Sequence, residues 1–87
     1  MKVIVDGRVE SIPLIIRIKT GLNKMNFRLA TNDRIFGVSI FNRAFMKSNL
    51  TIGTSVIVIG KYDSKKNIIT ASEIKFGALN NQRKIEA

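Results

Sequence analysis

The chain has 87 residues, enough for one small domain, and its 45% hydrophobic and 24% charged residues indicate a globular rather than a disordered protein. It has neither histidine nor cysteine, which excludes disulfides, thiolate metal sites and the catalytic triads that depend on those residues. Fifteen Lys and Arg against six Asp and Glu give a net charge of +9, an excess that predicts a polyanionic partner.

The first element is predicted to be a long strand with a bend near Ser11. Its apolar positions change phase there, and such a change in one strand is typical of a β-bulge or kink. Gly7 and Pro13 are the residues that would permit the bend. The apolar positions before the bend are Val3, Val5 and Val9, and those expected to form the apolar face after it are Ile12, Leu14, Ile16 and Ile18.

The rest of the chain is predicted to contain four shorter strands, with one short helix between the third and fourth strands of the whole series. A loop is predicted at 20–24, strands at 25–31, 35–41, 55–62 and 68–76, and the helix within 42–50. The β-branched run 56–59 is expected to be buried on both faces, and Gly60 to mark a bulge or a close backbone approach. Alternation predicts six inward residues: Met25, Phe27, Leu29, Phe36, Val38 and Ile40.

This order of elements predicts an all-β fold, a five-stranded OB-fold barrel with a short helix between strands three and four. An SH3-like barrel lacks the helix, and a ferredoxin-like fold requires two long helices. We expect the OB-fold domain to occupy residues 1–76. Residues 77–87 are polar and are expected to form a linker or tail that leads to further domains.

Two phenylalanines are the candidate stacking residues. Phe41 is out of phase with the inward residues of its strand, and Phe45 follows four residues later, so both rings are expected to reach one surface. Arg43 and Lys47 lie beside them in the sequence. Exposed aromatic rings next to cations stack on unpaired bases. The alternative is that either ring fills the bottom of the barrel, because aromatic side chains are usually buried.

Five basic residues are candidates for phosphate contacts. Lys65 and Lys66 form the best local cluster, at the predicted turn between the last two strands, where OB-folds carry a binding loop. The full set is Arg43, Lys47, Lys61, Lys65 and Lys66.

No catalytic residues, metal ligands or cofactors are predicted for this chain. Its six carboxylates show neither a paired-carboxylate nor a metal-ligand spacing. A membrane partner is not expected either, because no apolar stretch reaches the roughly 18 residues of a spanning helix and no signal peptide is visible. DNA, branched or single-stranded, is the expected partner.

Three runs of residues resemble the wedge domain of the bacterial RecG family of branched-DNA helicases. The family typically shows a Phe-Asn pair, an aromatic three residues after the asparagine, a Leu-x-x-Gly turn and a strand that ends in Gly-Lys. The chain departs from it at Ala44, Phe45 and Met46, where proline, tyrosine and leucine are common. The matching runs are 38–47 (VSIFNRAFMK), 50–53 (LTIG) and 56–62 (VIVIGKY).

The resemblance implies a function in DNA repair and recombination. The wedge would grip a stalled fork or a Holliday junction and split its arms, with Phe41 and Phe45 in the positions of the family's stacking aromatics. The parent would be an ATP-dependent helicase that uses ATP and magnesium in motor domains of the same chain, in the bacterial cytoplasm at the nucleoid. This fragment would itself be neither an enzyme nor a cofactor-binding protein.

Two other functions remain open at this point. A stand-alone OB domain that binds single-stranded DNA or RNA has the same composition and fold. A barrel whose surface docks another protein domain is the second alternative, although the charge of +9 disfavours it. Preference for branched over single-stranded DNA would separate the wedge from the stand-alone domain.

Overall fold

The computed structural model describes residues 1–41 and 50–78, and within these ranges the chain forms β-strands joined by turns. The predicted helix falls almost entirely on residues 42–49, which lie outside the described residues, as does most of the predicted tail. The strands are β1 (Lys2–Val9), β2 (Leu14–Lys19), β3 (Leu22–Ala30), β4 (Ile35–Phe41), β5 (Ser55–Asp63) and β6 (Ile68–Phe76).

Five of these strands close a barrel in the order β1-β5-β6-β4-β3, and a short β1–β3 pairing completes the ring. Every pairing is antiparallel except β4 with β6, which is parallel. The strand β2 is added outside the ring as a hairpin with β3. With β1 and β2 counted as two halves of the predicted first strand, the prediction of an all-β, five-stranded closed barrel is confirmed.

The break between β1 and β2 explains the change of phase in the sequence. Pro13 has no N–H to donate, and the chain before it turns away from β5 and across β3. The Glu10 N–H donates to the Arg28 carbonyl at 2.8 Å, and the Arg28 N–H donates to Ser11 Oγ at 2.8 Å. Gly7 permits the crossing, because a Cβ there would lie only 2.4 Å from the Ala30 carbonyl oxygen.

The core forms where inward residues of the strands meet, as the alternation predicted. The six residues predicted to face inward on β3 and β4 are all buried. In the β-branched run of β5, Val56, Ile57 and Val58 are buried, and Ile59 is half-buried. The bulge predicted at Gly60 is confirmed, since the β5–β6 register shifts there and a Cβ would lie 2.2 Å from the Thr70 carbonyl oxygen.

The predicted loop at 20–24 is wrong, because β3 already begins at Leu22. Only Thr20 and Gly21 form the turn, and Gly21 adopts the positive φ of 79° that a two-residue hairpin turn favours. Lys24 is consequently a strand residue, paired with Ile16.

The apolar face predicted after the bend is not part of the core. Ile12, Leu14, Ile16 and Ile18 are all exposed, and so is Ile15. The physical reason is position: β2 runs beside β3 outside the closed ring, so its side chains have no barrel interior to enter. The alternation of period two predicted the strand, but it did not show whether other parts of the protein cover that strand.

Candidate nucleic-acid interface

Strand register aligns a row of side chains across the outside of the barrel, which we call the first row. Directly paired residues point to the same face of a sheet. Their neighbours Met25, Val38 and Ile69 are buried in the core, so the row faces outward. Across the strands, it comprises Lys2, Lys61, Thr70, Ser39, Asn26 and Leu14.

A second, shorter row lies beside the first, one step of alternation further along β4. Phe41 pairs with Lys24, and Lys24 pairs with Ile16. The Phe41 side chain is 39% exposed, so it does not fill the barrel. An exposed ring, a cation and an aliphatic side chain therefore follow one another on the same outer face.

A hydrogen bond between β3 and β4 fixes polar groups in the first row. Ser39 Oγ donates to Asn26 Oδ1 at 2.7 Å, and Ser39 is buried. Because the amide oxygen accepts this bond, the group that Asn26 presents to a ligand is its NH₂ donor.

Two open clefts flank the rows. One of about 460 Å³ runs along β3 and β4, and its lining includes Lys24, Asn26, Arg28 and Ser39 together with apolar side chains. The other, of about 450 Å³, is lined by Phe41, Lys61 and Lys2, among others. Both clefts combine cations with apolar surface. This composition suits single-stranded nucleic acid, because cations bind its phosphates and apolar groups contact its bases.

The structure brings two of the predicted site residues together. Phe41 and Lys61 line the same cleft, and Lys2, which was not predicted, joins them. Phe45, Arg43 and Lys47 lie outside the described residues, so their predicted roles remain predictions.

Lys65 and Lys66 lie away from Phe41, at the turn between β5 and β6. Asp63 Oδ1 accepts hydrogen bonds from both of their backbone N–H groups, at 3.0 and 3.4 Å. The turn is joined to the start of β4, because Asn67 Nδ2 donates to the Ile35 carbonyl at 2.8 Å. Phe41 ends that strand, and the six steps of ~3.3 Å from Ile35 to Phe41 separate the two positions by about 20 Å.

Arg34 fastens this turn to the preceding hairpin. Its Nη2 donates to Tyr62 OH at 2.9 Å and to Asn67 Oδ1 at 3.3 Å. The guanidinium carbon also lies 4.6 Å from the centre of the Phe36 ring, within range of a cation–π interaction. The turn that carries Lys65 and Lys66 is thus held in place by side chains of β4, β5 and the β3–β4 connection.

Six polar residues of this surface were not among the predicted site residues: Lys2, Lys24, Asn26, Arg28, Ser39 and Thr70. Lys24, Asn26 and Arg28 occupy alternate positions of β3, between the buried Met25, Phe27 and Leu29. That alternation was visible in the sequence, but the partner strand that makes these positions one surface was not.

No group of three or more His, Cys, Asp or Glu residues within 1–41 and 50–78 is arranged to hold a metal ion. Within the same ranges, the structure has no helix of the length and apolar character needed to cross a membrane.

Comparison with known proteins gives one relevant similarity. No protein-family model matches the chain. The chain is, however, 32% identical over 85 residues, 98% of its length, to the ATP-dependent DNA helicase RecG of Bacillus subtilis. It spans only 12% of the length of that relative. The chain is therefore similar in sequence to one segment of that helicase, and its closed barrel is consistent with an OB-fold, wedge-like domain.

Proposed function

We propose that the chain grips branched DNA, at a stalled fork or a four-way junction, as the wedge domain of a RecG-like helicase. The observation that carries the proposal is the second row, in which Phe41 stands beside Lys24 on an outer face that also bears Lys61 and Arg28. Neither row contains a carboxylate that would repel a phosphate backbone. Relationship to a DNA helicase supports the same class of ligand.

In this proposal, the surface binds DNA through two kinds of contact. The cations neutralise phosphates, which supplies affinity without regard to sequence. The exposed Phe41 ring offers a platform for an unpaired base, and such stacking tolerates any base because each has a π-face. A DNA strand that has lost its partner at a branch point presents phosphates and unpaired bases together.

The distance between the Lys65–Lys66 turn and the Phe41 end of the surface fits an extended segment of single-stranded DNA. The turn with Lys65 and Lys66 lies about 20 Å from Phe41, along the length of β4. We place the branch point at the Phe41 end, because the resemblance matches Phe41 and Phe45 to the family's stacking aromatics. The turn with Lys65 and Lys66, at the opposite end, then binds the backbone of the separated DNA strand.

The parent protein would supply the energy for strand separation. In this proposal, motor domains of the same chain hydrolyse ATP with magnesium and pull the duplex, while the barrel divides the arms. DNA repair and recombination at the nucleoid are the processes in which such branched substrates arise.

Fluorescence anisotropy with three labelled DNAs tests the proposal. The DNAs are a fork, its single strand and its duplex arm, at equal total length and one salt concentration. We expect the fork to bind more tightly than either part. Equal affinity for the fork and the single strand would instead identify a general single-strand-binding domain, and absence of binding to all three would contradict a DNA-binding role.

A further inference from the structure

We propose that the exposed aliphatic strand β2 is a base-contacting extension of the DNA surface, for the bases of an unpaired strand. The inference rests on the proposed function, because it names the part of the DNA that this strand of the protein meets. It assigns a role to Leu14 and Ile16, whose exposure the barrel core does not explain.

Exposure of β2 is the first observation. Every residue of the strand is exposed, and the side chains of Leu14 and Ile16 are 63% and 43% exposed. A small protein of this size rarely leaves adjacent large aliphatic residues in water unless the patch has a ligand.

Register is the second observation. Leu14 lies opposite Asn26 in the first row, and Ile16 lies opposite Lys24 in the second row. The aliphatic groups are therefore on the face that carries Phe41, not on the opposite face of the hairpin. Leu14 also lines the cleft that contains Lys24 and Arg28.

The charge of the hairpin that contains β2 indicates what kind of ligand this surface binds. The hairpin from 14 to 30 contains Arg17, Lys19, Lys24 and Arg28 but neither Asp nor Glu. Cations beside an aliphatic surface suit a ligand that is both anionic and apolar. Duplex DNA offers the anionic backbone but keeps its base faces stacked inside, whereas an unpaired strand offers phosphates and bare bases together.

The test is a double variant, Leu14→Thr with Ile16→Thr, compared with Ile15→Thr as the matched control. Threonine is β-branched, a shape that strands favour. Ile15 is equally exposed, at 57%, but lies on the other face of the same strand, opposite the buried Met25. Two probes of about 15 nucleotides, a length within the site size of an OB-fold, separate the contacts: oligothymidylate and an abasic strand with the same phosphates.

We expect the double variant to lose about three-fold to ten-fold in affinity for oligothymidylate, from lost aliphatic burial, and to bind the abasic strand as the parent does. The salt dependence should not change, because no phosphate contact is removed. The Ile15→Thr control should bind both probes like the parent. Equal melting temperatures of all three proteins establish that the variants are folded.

Three results would overturn the inference. They are unchanged affinity of the folded double variant for oligothymidylate, equal losses for both probes, and an equal loss in the Ile15→Thr control. The first of these would leave β2 as a surface for another ligand, such as a protein domain. If the parent binds neither these probes nor the forked DNA, the proposed function itself fails, whereas a parent that binds both probes equally retains DNA binding and loses only the base contact.

Discussion

Phe41 and Lys24 lie directly opposite each other on β4 and β3, so a ring that is 39% exposed stands beside a cation on the outer face of the barrel. The pairing joins the two physical requirements of single-strand binding, a stacking platform and a positive charge, at one point.

Replacing Phe41 with alanine should weaken binding to a forked DNA about ten-fold, because base stacking on an aromatic ring is worth roughly 1–3 kcal/mol. Stability should change little, since the ring is only partly covered. The control is Phe76→Ala, which removes an exposed phenylalanine that does not lie in either row. Anisotropy and thermal melting of both variants check the prediction. A Phe41→Ala protein that melts far below the parent but binds normally when folded would show that the ring is structural.

Replacing Lys24 with glutamine should reduce the salt dependence of binding. Each phosphate contact to single-stranded DNA contributes about 0.7 to the slope of log affinity against log salt, so the slope should fall by about that amount. Lys75→Gln is the control, because Lys75 is exposed and lies 3.8 Å from Glu73, a carboxylate that already opposes its charge. Titrations at several salt concentrations provide the slopes. Equal slopes for the Lys24 variant and the parent would remove Lys24 from the phosphate contacts.

Replacing Arg34 with alanine should destabilise the fold by about 1–2 kcal/mol, through loss of the cation–π contact and of its hydrogen bonds to Tyr62 and Asn67. Arg34→Lys should recover only part of this, because lysine lacks the planar guanidinium that donates to two acceptors while it stacks on a ring. Urea denaturation measures both variants. If lysine restores full stability, charge alone is what the position needs.

Replacing Gly60 with alanine should destabilise the barrel by about 3 kcal/mol or more, since the added Cβ would meet the Thr70 backbone at 2.2 Å. Gly37→Ala is the matched control, in strand β4 on the other side of β6. There the nearest atom is a side-chain carbon of Ile68 at 3.2 Å, which can move, so a loss below about 1 kcal/mol is expected. Similar urea midpoints for the two variants would contradict the close approach at the bulge.

The strands inside the barrel were predictable because each has one buried face. In β4, Phe36, Val38 and Ile40 alternate with small or polar residues, and the predicted bounds of 35–41 match the observed strand. The bounds of β6 were also predicted correctly, since the polar turn before it and Gly77 after it limit the strand.

The predictions that were wrong concern features that depend on contacts between residues distant in sequence. The alternation around Leu14 and Ile16 has the period of a strand, but only the tertiary structure shows that β2 lies outside the closed ring. Lys24 was assigned to a loop because Gly21 and Asn23 favour turns, although only Thr20 and Gly21 form the tight turn. Its place beside Phe41 follows from β3–β4 register, which no local pattern specifies.

The most direct test of the central claim is a nuclear magnetic resonance titration of the ¹⁵N-labelled chain with a short single-stranded DNA. If the outer face of β3 and β4 binds DNA, amide shifts should change most at Lys24, Asn26, Ser39, Phe41 and Lys61, and those of the paired strands β1 and β5 near Asp6 and Ser55 should change little. Changes concentrated near Asp6 and Ser55, or none at saturating DNA, would contradict the account.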